Sequence, residues 1–175
     1  FSYCQCLKTI QFPEESNLST FEKDMFYRSF VENINIPSNL IEMKEGWCSC
    51  TQHLNNVLIS PNNKNFIFLN KNIILGKSEL NNEFYDVLEF AFRNISRVQI
   101  PSTIKIIKSC AFSECNNLKT VEFTDDSQLE LIGNDAFSFT QIDGIFIPKN
   151  TKKISLKAFQ GCQKLKSIEF LCDNL

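Results

Sequence analysis

Seven times along this chain the same six-residue block returns, LxxΦxΦ with Φ apolar: LKTIQF from Leu7, VENINI from Val31, LNNVLI from Leu54, ISRVQI from Ile95, LKTVEF from Leu118, IDGIFI from Ile142 and LKSIEF from Leu165. Successive blocks start 24, 23, 41, 23, 24 and 23 residues apart. So regular a period restricts the chain to a stacked-repeat architecture, because a unit this small cannot bury its own apolar face and must cover it with its neighbours. A second symmetry lies over the first. FSYCQCLKTIQFPEESNL (Phe1 to Leu18) aligns without a gap with FSECNNLKTVEFTDDSQL (Phe112 to Leu129), as duplication of repeats would produce.

Within each block the apolar residues occupy positions 1, 4 and 6, and the last two obey the strand period of two. Val121 and Phe123 then point to one side of a short strand and Glu122 to the other. Seven such strands side by side give a parallel sheet with one rung per repeat. Pro37, Pro101 and Pro148 directly follow position 6, where no ladder N–H is required, and the chain turns there. A second apolar patch precedes the next strand: Ile107 with Ala111 and Phe112, Ile132 with Ala136 and Phe137, Ile154 with Ala158 and Phe159. These runs fall short of the roughly 12 residues of an independent helix. They predict brief turns, 3-10 segments or extended pieces on the opposite wall, with Phe26, Phe112, Phe137 and Phe159 at one buried, repeated position.

Residues 1–175 read as one continuous solenoid, with residues 60–94 forming an enlarged repeat. With 43% apolar residues the chain has enough material for a single core. Eighteen Lys and Arg against 20 acids, a net charge of -2, give no basic field for nucleic acid or an anionic membrane. No apolar run approaches the roughly 20 residues that span a bilayer, so membrane insertion is not expected within this segment. Phe1 falls in mid-repeat and Leu175 just past a strand, so both ends read as cut from a longer array, with any leader or anchor outside it.

The string IPSTIKIIKSCAFSECNNLKTVEF, with its copies IPKNTKKISLKAFQGCQKLKSIEF and LELIGNDAFSF, resembles the BspA-like leucine-rich repeats of bacterial and protozoan surface proteins, over about residues 1–60 and 95–171. The third repeat departs from the pattern, with Trp47 and Cys48 where Ala and Phe are usual. The resemblance implies a right-handed, β-dominated leucine-rich-repeat solenoid of α/β type, its sheet on the concave face, displayed on a cell surface for adhesion or protein binding. It implies no catalytic site, and no cofactor is expected. A cytosolic scaffold docking a protein partner, with all thiols reduced, is the alternative.

The long fourth step carries about 18 extra residues relative to its neighbours. Phe66 to Leu69 and Ile73 to Leu75 read as strands separated by Asn70, Lys71 and Asn72, the link of a β-hairpin. Two readings stand: the hairpin projects and contacts a partner through Phe66, Phe68, Asn70 and Lys71, or it seals a break in the stack.

Cys4–Cys6 and Cys48–Cys50 have CxC spacing, so half of a zinc site or a disulfide is conceivable. Yet Cys4, Cys115 and Cys162 recur three residues before the leading strand residue, which fits a ladder of buried free thiols, and no metal is assigned. His53 is the only histidine, so no multi-histidine site or His-based triad forms within the chain, and a surface position is expected. Gly76-Lys77-Ser78 lacks the upstream glycine of a phosphate loop, since Lys71 stands there. Glu14, Glu15 and Ser16, aligned with Asp125, Asp126 and Ser127, suit turns. Asn17-Leu18-Ser19 and Asn94-Ile95-Ser96 match the glycosylation acceptor triplet, which matters only after export.

Positions 2, 3 and 5 of the blocks face away from the core and define the candidate binding face: Lys8, Gln11, Glu32, Asn35, Asn55, Leu58, Arg97, Gln99, Lys119, Glu122, Asp143, Phe146, Lys166 and Glu169. Leu58 and Phe146 are the apolar exceptions on a polar face, the kind of spot a partner would cover.

Overall fold

The computed structural model describes residues 1–171; Cys172 lies outside them. In chain order the strands are β1 (Thr9–Ile10), β2 (Thr20–Phe21), β3 (Asn33–Ile36), β4 (Glu42–Met43), β5 (Asn56–Ile59), β6 (Ile67–Leu69) and β7 (Ile73–Gly76). There follow β8 (Val87–Ala91), β9 (Arg97–Ile100), β10 (Ile106–Ile107), β11 (Thr120–Phe123), β12 (Leu131–Ile132), β13 (Gly144–Ile147), β14 (Lys153–Ile154) and β15 (Ser167–Phe170). Each LxxΦxΦ block supplies one strand of the main face, and the parallel register places like positions side by side: Ile10 opposite Ile34, Ile34 opposite Val57, Val98 opposite Val121, Ile145 opposite Ile168. The architecture is a β-solenoid of about seven turns. No helix occurs among the described residues, and the solenoid is β-dominated as expected.

The seven main-face strands fall into three hydrogen-bonded groups, β1-β3-β5, β9-β11 and β13-β15, rather than one sheet. The turn from Leu118 to Gln141 bridges the last two groups, with the Gln141 N–H donating to the Leu118 carbonyl. Between β5 and β9 the enlarged repeat intervenes. On the opposite wall the two-residue strands pair as well, β2 with β4, while β10, β12 and β14 join the longer β6, β7 and β8 in a six-stranded sheet of order β14-β12-β10-β8-β7-β6.

The turns of that wall hold the repeated aromatic. Phe112, Phe137 and Phe159 stack face to face, with centroids 5.0 and 5.4 Å apart and planes within 6°. Phe26, Phe112 and Phe137 are fully buried, whereas Phe159, in the last described turn, is half-buried, with no further rung over it among the described residues. In the third turn the volumes are exchanged. Trp47 at the alanine position packs against Phe21, Phe26 and Phe90, while the small Cys48 sits where phenylalanine is usual.

Five wall turns pass twice through the left-handed region, and the first described turn once, at Tyr3. One ladder is Asp24, Gly46, Cys110, Asp135 and Lys157; the other is Tyr3, Arg28, Cys50, Glu114, Phe139 and Gly161, all at φ between 52° and 72°. Such a conformation costs a non-glycine residue about 1–2 kcal/mol. At Gly161 glycine is doubly required, because a Cβ would lie 2.5 Å from the Phe139 ring. Lys157 is exposed and has no such neighbour, so Lys157→Gly is expected to gain up to about 1 kcal/mol and Lys157→Val to lose about 1–2 kcal/mol. Urea unfolding midpoints of the two variants check the sign.

The hairpin of the enlarged repeat is formed, with Asn70 and Lys71 at positive φ in its turn and Leu69 opposite Ile73. It does not project. All four residues of β7 are buried, and so are the five of β8, with which β7 pairs antiparallel. The reason is its apolar composition on both faces: Ile74 and Phe90 belong to the core of the first turns, and Ile73, Leu75 and Leu88 to the core of the later ones. A strand apolar on both faces needs cover on both. The hairpin is therefore a partition between two half-cores. Asn63, itself buried, ties it to the preceding turn, donating to the carbonyls of Pro37 and Leu40 and accepting from the N–H groups of Asn65 and Phe66.

Candidate functional site

Of the fourteen face residues, eleven are exposed and Glu32, Asn35 and Glu122 are half-buried. The strand period places them together. Leu58 and Phe146 are 65% and 56% exposed, each flanked by a polar residue of the adjacent rung, Asn35 and Glu169. For the insert set the structure demands a correction. Phe66 is 2% exposed and Phe68 half-buried against Phe92, with ring centroids 6.1 Å apart, so only Asn70 and Lys71 remain at the surface.

The two halves of the face differ in chemistry. Over β1, β3 and β5 the side chains are amides and hydroxyls: the Asn56 amide donates to Asn33 Oδ1 at 2.8 Å, and Asn33 in turn to Thr9 Oγ1 at 3.3 Å. Asn35 is clamped to the backbone of Phe12, donating to its carbonyl and accepting from its N–H, both at 2.7 Å. The flanking charges cancel as a pair, Lys8 Nζ lying 2.6 Å from Glu32, whose carboxyl the lysine holds below its ordinary value. Over β9, β11, β13 and β15 the face is charged. Arg97 grips Glu122 with Nη2 at 2.8 and 2.9 Å from the two carboxylate oxygens, Glu169 stands opposite Phe146 on the adjacent strand, and Lys119, Asp143 and Lys166 are exposed.

Two buried ionisable side chains at the partition, missed by sequence reasoning, link the turns on either side of it. Arg93 is 4% exposed. Its guanidinium donates to the carbonyls of Thr51, Cys110 and Ala111, lies 4.4 Å over the Phe90 ring, and approaches Cys48 Sγ at 3.6 Å, so one side chain spans both half-cores. Glu89, 3% exposed, is paired with Lys108 at 3.0 Å, and Lys108 also donates to the Met43 carbonyl across the partition. Burial pushes the Glu89 carboxyl up from 4.5 to about 7, against the pull of Lys108. Gly76 makes room for it, since a Cβ there would meet Oε1 at 2.6 Å. The available signal was a pair of charges inside the apolar run Val87 to Phe92 and at its end.

Cys115 is buried and donates to the Phe92 carbonyl. Cys162 donates to that of Phe137 at 3.0 Å and, like Cys4, is only half-buried in a terminal described turn. The seven described cysteines are free thiols, and burial pushes Cys48 up to about 12. Neither CxC pair gathers with other ligands into a group of three or more among the described residues. His53 is exposed, with its ring 5.0 Å from that of Phe30.

The fold meets a known pattern. The family model of the BspA type leucine rich repeat region matches six copies, over residues 1–94 and 86–174, and the chain belongs to that family. Among solved structures it is similar to a leucine-rich repeat protein from Eubacterium ventriosum, at 28% identity over 95% of this chain and 43% of the other, with a TM-score of 0.75. The pneumococcal vaccine antigen PcpA shares the fold at 20% identity and a TM-score of 0.78, over 97% of this chain and 46% of that one. So does a leucine rich cell surface protein from Faecalibacterium prausnitzii, at 14% identity and a TM-score of 0.63, over 96% and 61%. The chain thus spans less than half the length of the first two. Comparison with curated proteins gives no match. No helix among the described residues is long and apolar enough to cross a membrane.

Proposed function

We propose that this chain is a non-catalytic binding module, presented at a cell surface, whose main sheet face engages a protein partner. The observation that carries this reading is the exposure of Leu58 and Phe146 on a face whose other positions are polar. Similarity to proteins described as a cell-surface protein and a vaccine antigen supports the location. Large exposed side chains usually dominate such contacts.

Retention of the purified chain on surfaces coated with extracellular-matrix protein tests this. Phe146→Ala is expected to weaken retention by about thirtyfold, equivalent to about 2 kcal/mol, while Leu156→Ala on the opposite wall leaves it unchanged. Wild-type retention by a Leu58→Ala/Phe146→Ala double variant would assign the contact elsewhere. The exposed hairpin turn at Asn70 and Lys71 is then the next surface to alter.

A further inference from the structure

We propose that the first half of the face, over β1, β3 and β5, is a binding groove for a neutral oligosaccharide. The inference rests on the reading of the sheet face as a contact surface and adds to the protein contact at Phe146 a carbohydrate ligand held by the other half of the face. A groove of about 510 Å³ runs across these three strands, and no charged side chain lines it. Its polar groups are Thr9, Gln11, Asn33, Asn35 and Asn56, one hydroxyl and four amides.

Amides and hydroxyls both donate and accept, and a sugar hydroxyl does the same, so the two match without any ionic term. The groove is prepared for this. The chain from Asn56 through Asn33 to Thr9 fixes three of the five groups, and the Phe12 backbone fixes Asn35. Each bonded amide keeps unused capacity, because one amide carries two donors and two acceptor lone pairs. The rungs repeat at about 4.8 Å, so a ligand of repeated hydroxyl-bearing units meets equivalent groups on successive strands.

Apolar surface completes the match. Leu58 and the half-buried Phe12 line the same groove and offer contact for the C–H faces of sugar rings. A charged polymer finds no counter-charge here, since Lys8 and Glu32 beside the groove neutralise each other at 2.6 Å. The later half of the face, with Arg97, Lys119, Glu122 and Asp143, lacks this composition.

The experiment titrates the full chain with neutral hexasaccharides of glucose, mannose and galactose and with a heparin hexasaccharide, followed by saturation-transfer NMR and calorimetry. Expected is binding of at least one neutral hexasaccharide with Kd of about 1 mM or tighter, unchanged between 0.05 and 0.5 M salt (roughly, low and high screening). Asn56→Leu and Gln11→Ala should each weaken it about fivefold or more, and Leu156→Ala should not. Gln11 lies outside the strands, so its variant remains informative if Asn56→Leu disturbs folding. Binding of heparin alone, no binding of any neutral probe up to about 10 mM, or neutral binding indifferent to both groove variants would each overturn the proposal. None of these outcomes alters the Phe146 comparison, so failure of the ligand class and failure of the contact face are separately visible.

Discussion

Phe137→Ala is expected to destabilise the chain by about 3–5 kcal/mol, the range for removing a large buried aromatic from a core that cannot collapse around the void. The ring is fully buried and stacked on both sides, by Phe112 at 5.0 Å and Phe159 at 5.4 Å. In a repeat protein the contacts between neighbouring rungs carry much of the stability, and this truncation weakens two such interfaces at once. Phe159→Ala should cost distinctly less, because its ring is half-buried and stacked on one side only. Chemical denaturation of the two variants checks the ranking. Equal costs would mean that the ladder of rings is not the unit of packing on this wall.

The second large effect is one of pH. Glu89 is expected to take about 3 kcal/mol from stability as pH rises from about 4.5 to about 7. Burial raises its folded-state pKa to about 7 from an ordinary 4.5, opposed by Lys108 and reinforced by Glu42. Below about pH 4.5 the carboxyl is protonated folded or unfolded and no cost arises. Between the two values the unfolded chain ionises while the folded one keeps its proton, so stability falls with pH, and above about 7 the loss is complete. The carboxyls of Asp86, Glu32 and Glu130 are held below their ordinary values, Asp86 against the effect of its own burial by hydrogen bonds from Ser78, Glu32 by Lys8 and Glu130 by Lys152. Their effect lies below that window and has the opposite sign. Thermal melts at pH 5, 6, 7 and 8 should show the slope in the wild type and its absence in Glu89→Gln, with the two nearly equal at pH 5 and the variant more stable at pH 8. Parallel pH profiles would remove Glu89 from this role.

Much of the fold was legible in the residues. The period fixed the stacking, the alternation of Val121 with Glu122 fixed which side faced the core, and the recurrence of Phe112 and Phe137 marked the opposite wall. The place of the hairpin stays open in the sequence between projection and sealing of the stack, although Ile73-Ile74-Leu75 carries the clue, since three consecutive apolar residues leave no face for solvent. Periodicity reports which residues share a face, and is silent on whether a second layer covers the other one. For the same reason Arg93 and Glu89 escaped notice. Charge inside an apolar run becomes meaningful only when carbonyls from distant turns, such as those of Thr51 and Met43, are known to meet it. On the candidate site, the exposure of Leu58 and Phe146 followed from strand alternation alone. The amide chain from Asn56 to Thr9 did not, because whether neighbouring side chains bond each other depends on register and rotamer rather than composition.

Central to the structure is the enlarged repeat as an internal partition, covered by apolar core on both sides. Hydrogen exchange of the full chain, followed by mass spectrometry, measures this directly. Amides of β7 and β8, from Ile73 to Gly76 and from Val87 to Ala91, are predicted to rank among the slowest in the molecule, as slow as those of β11, because exposing them requires opening both half-cores. Rapid exchange across both strands while β3 and β11 stay protected would show a hairpin outside the stack and contradict the account.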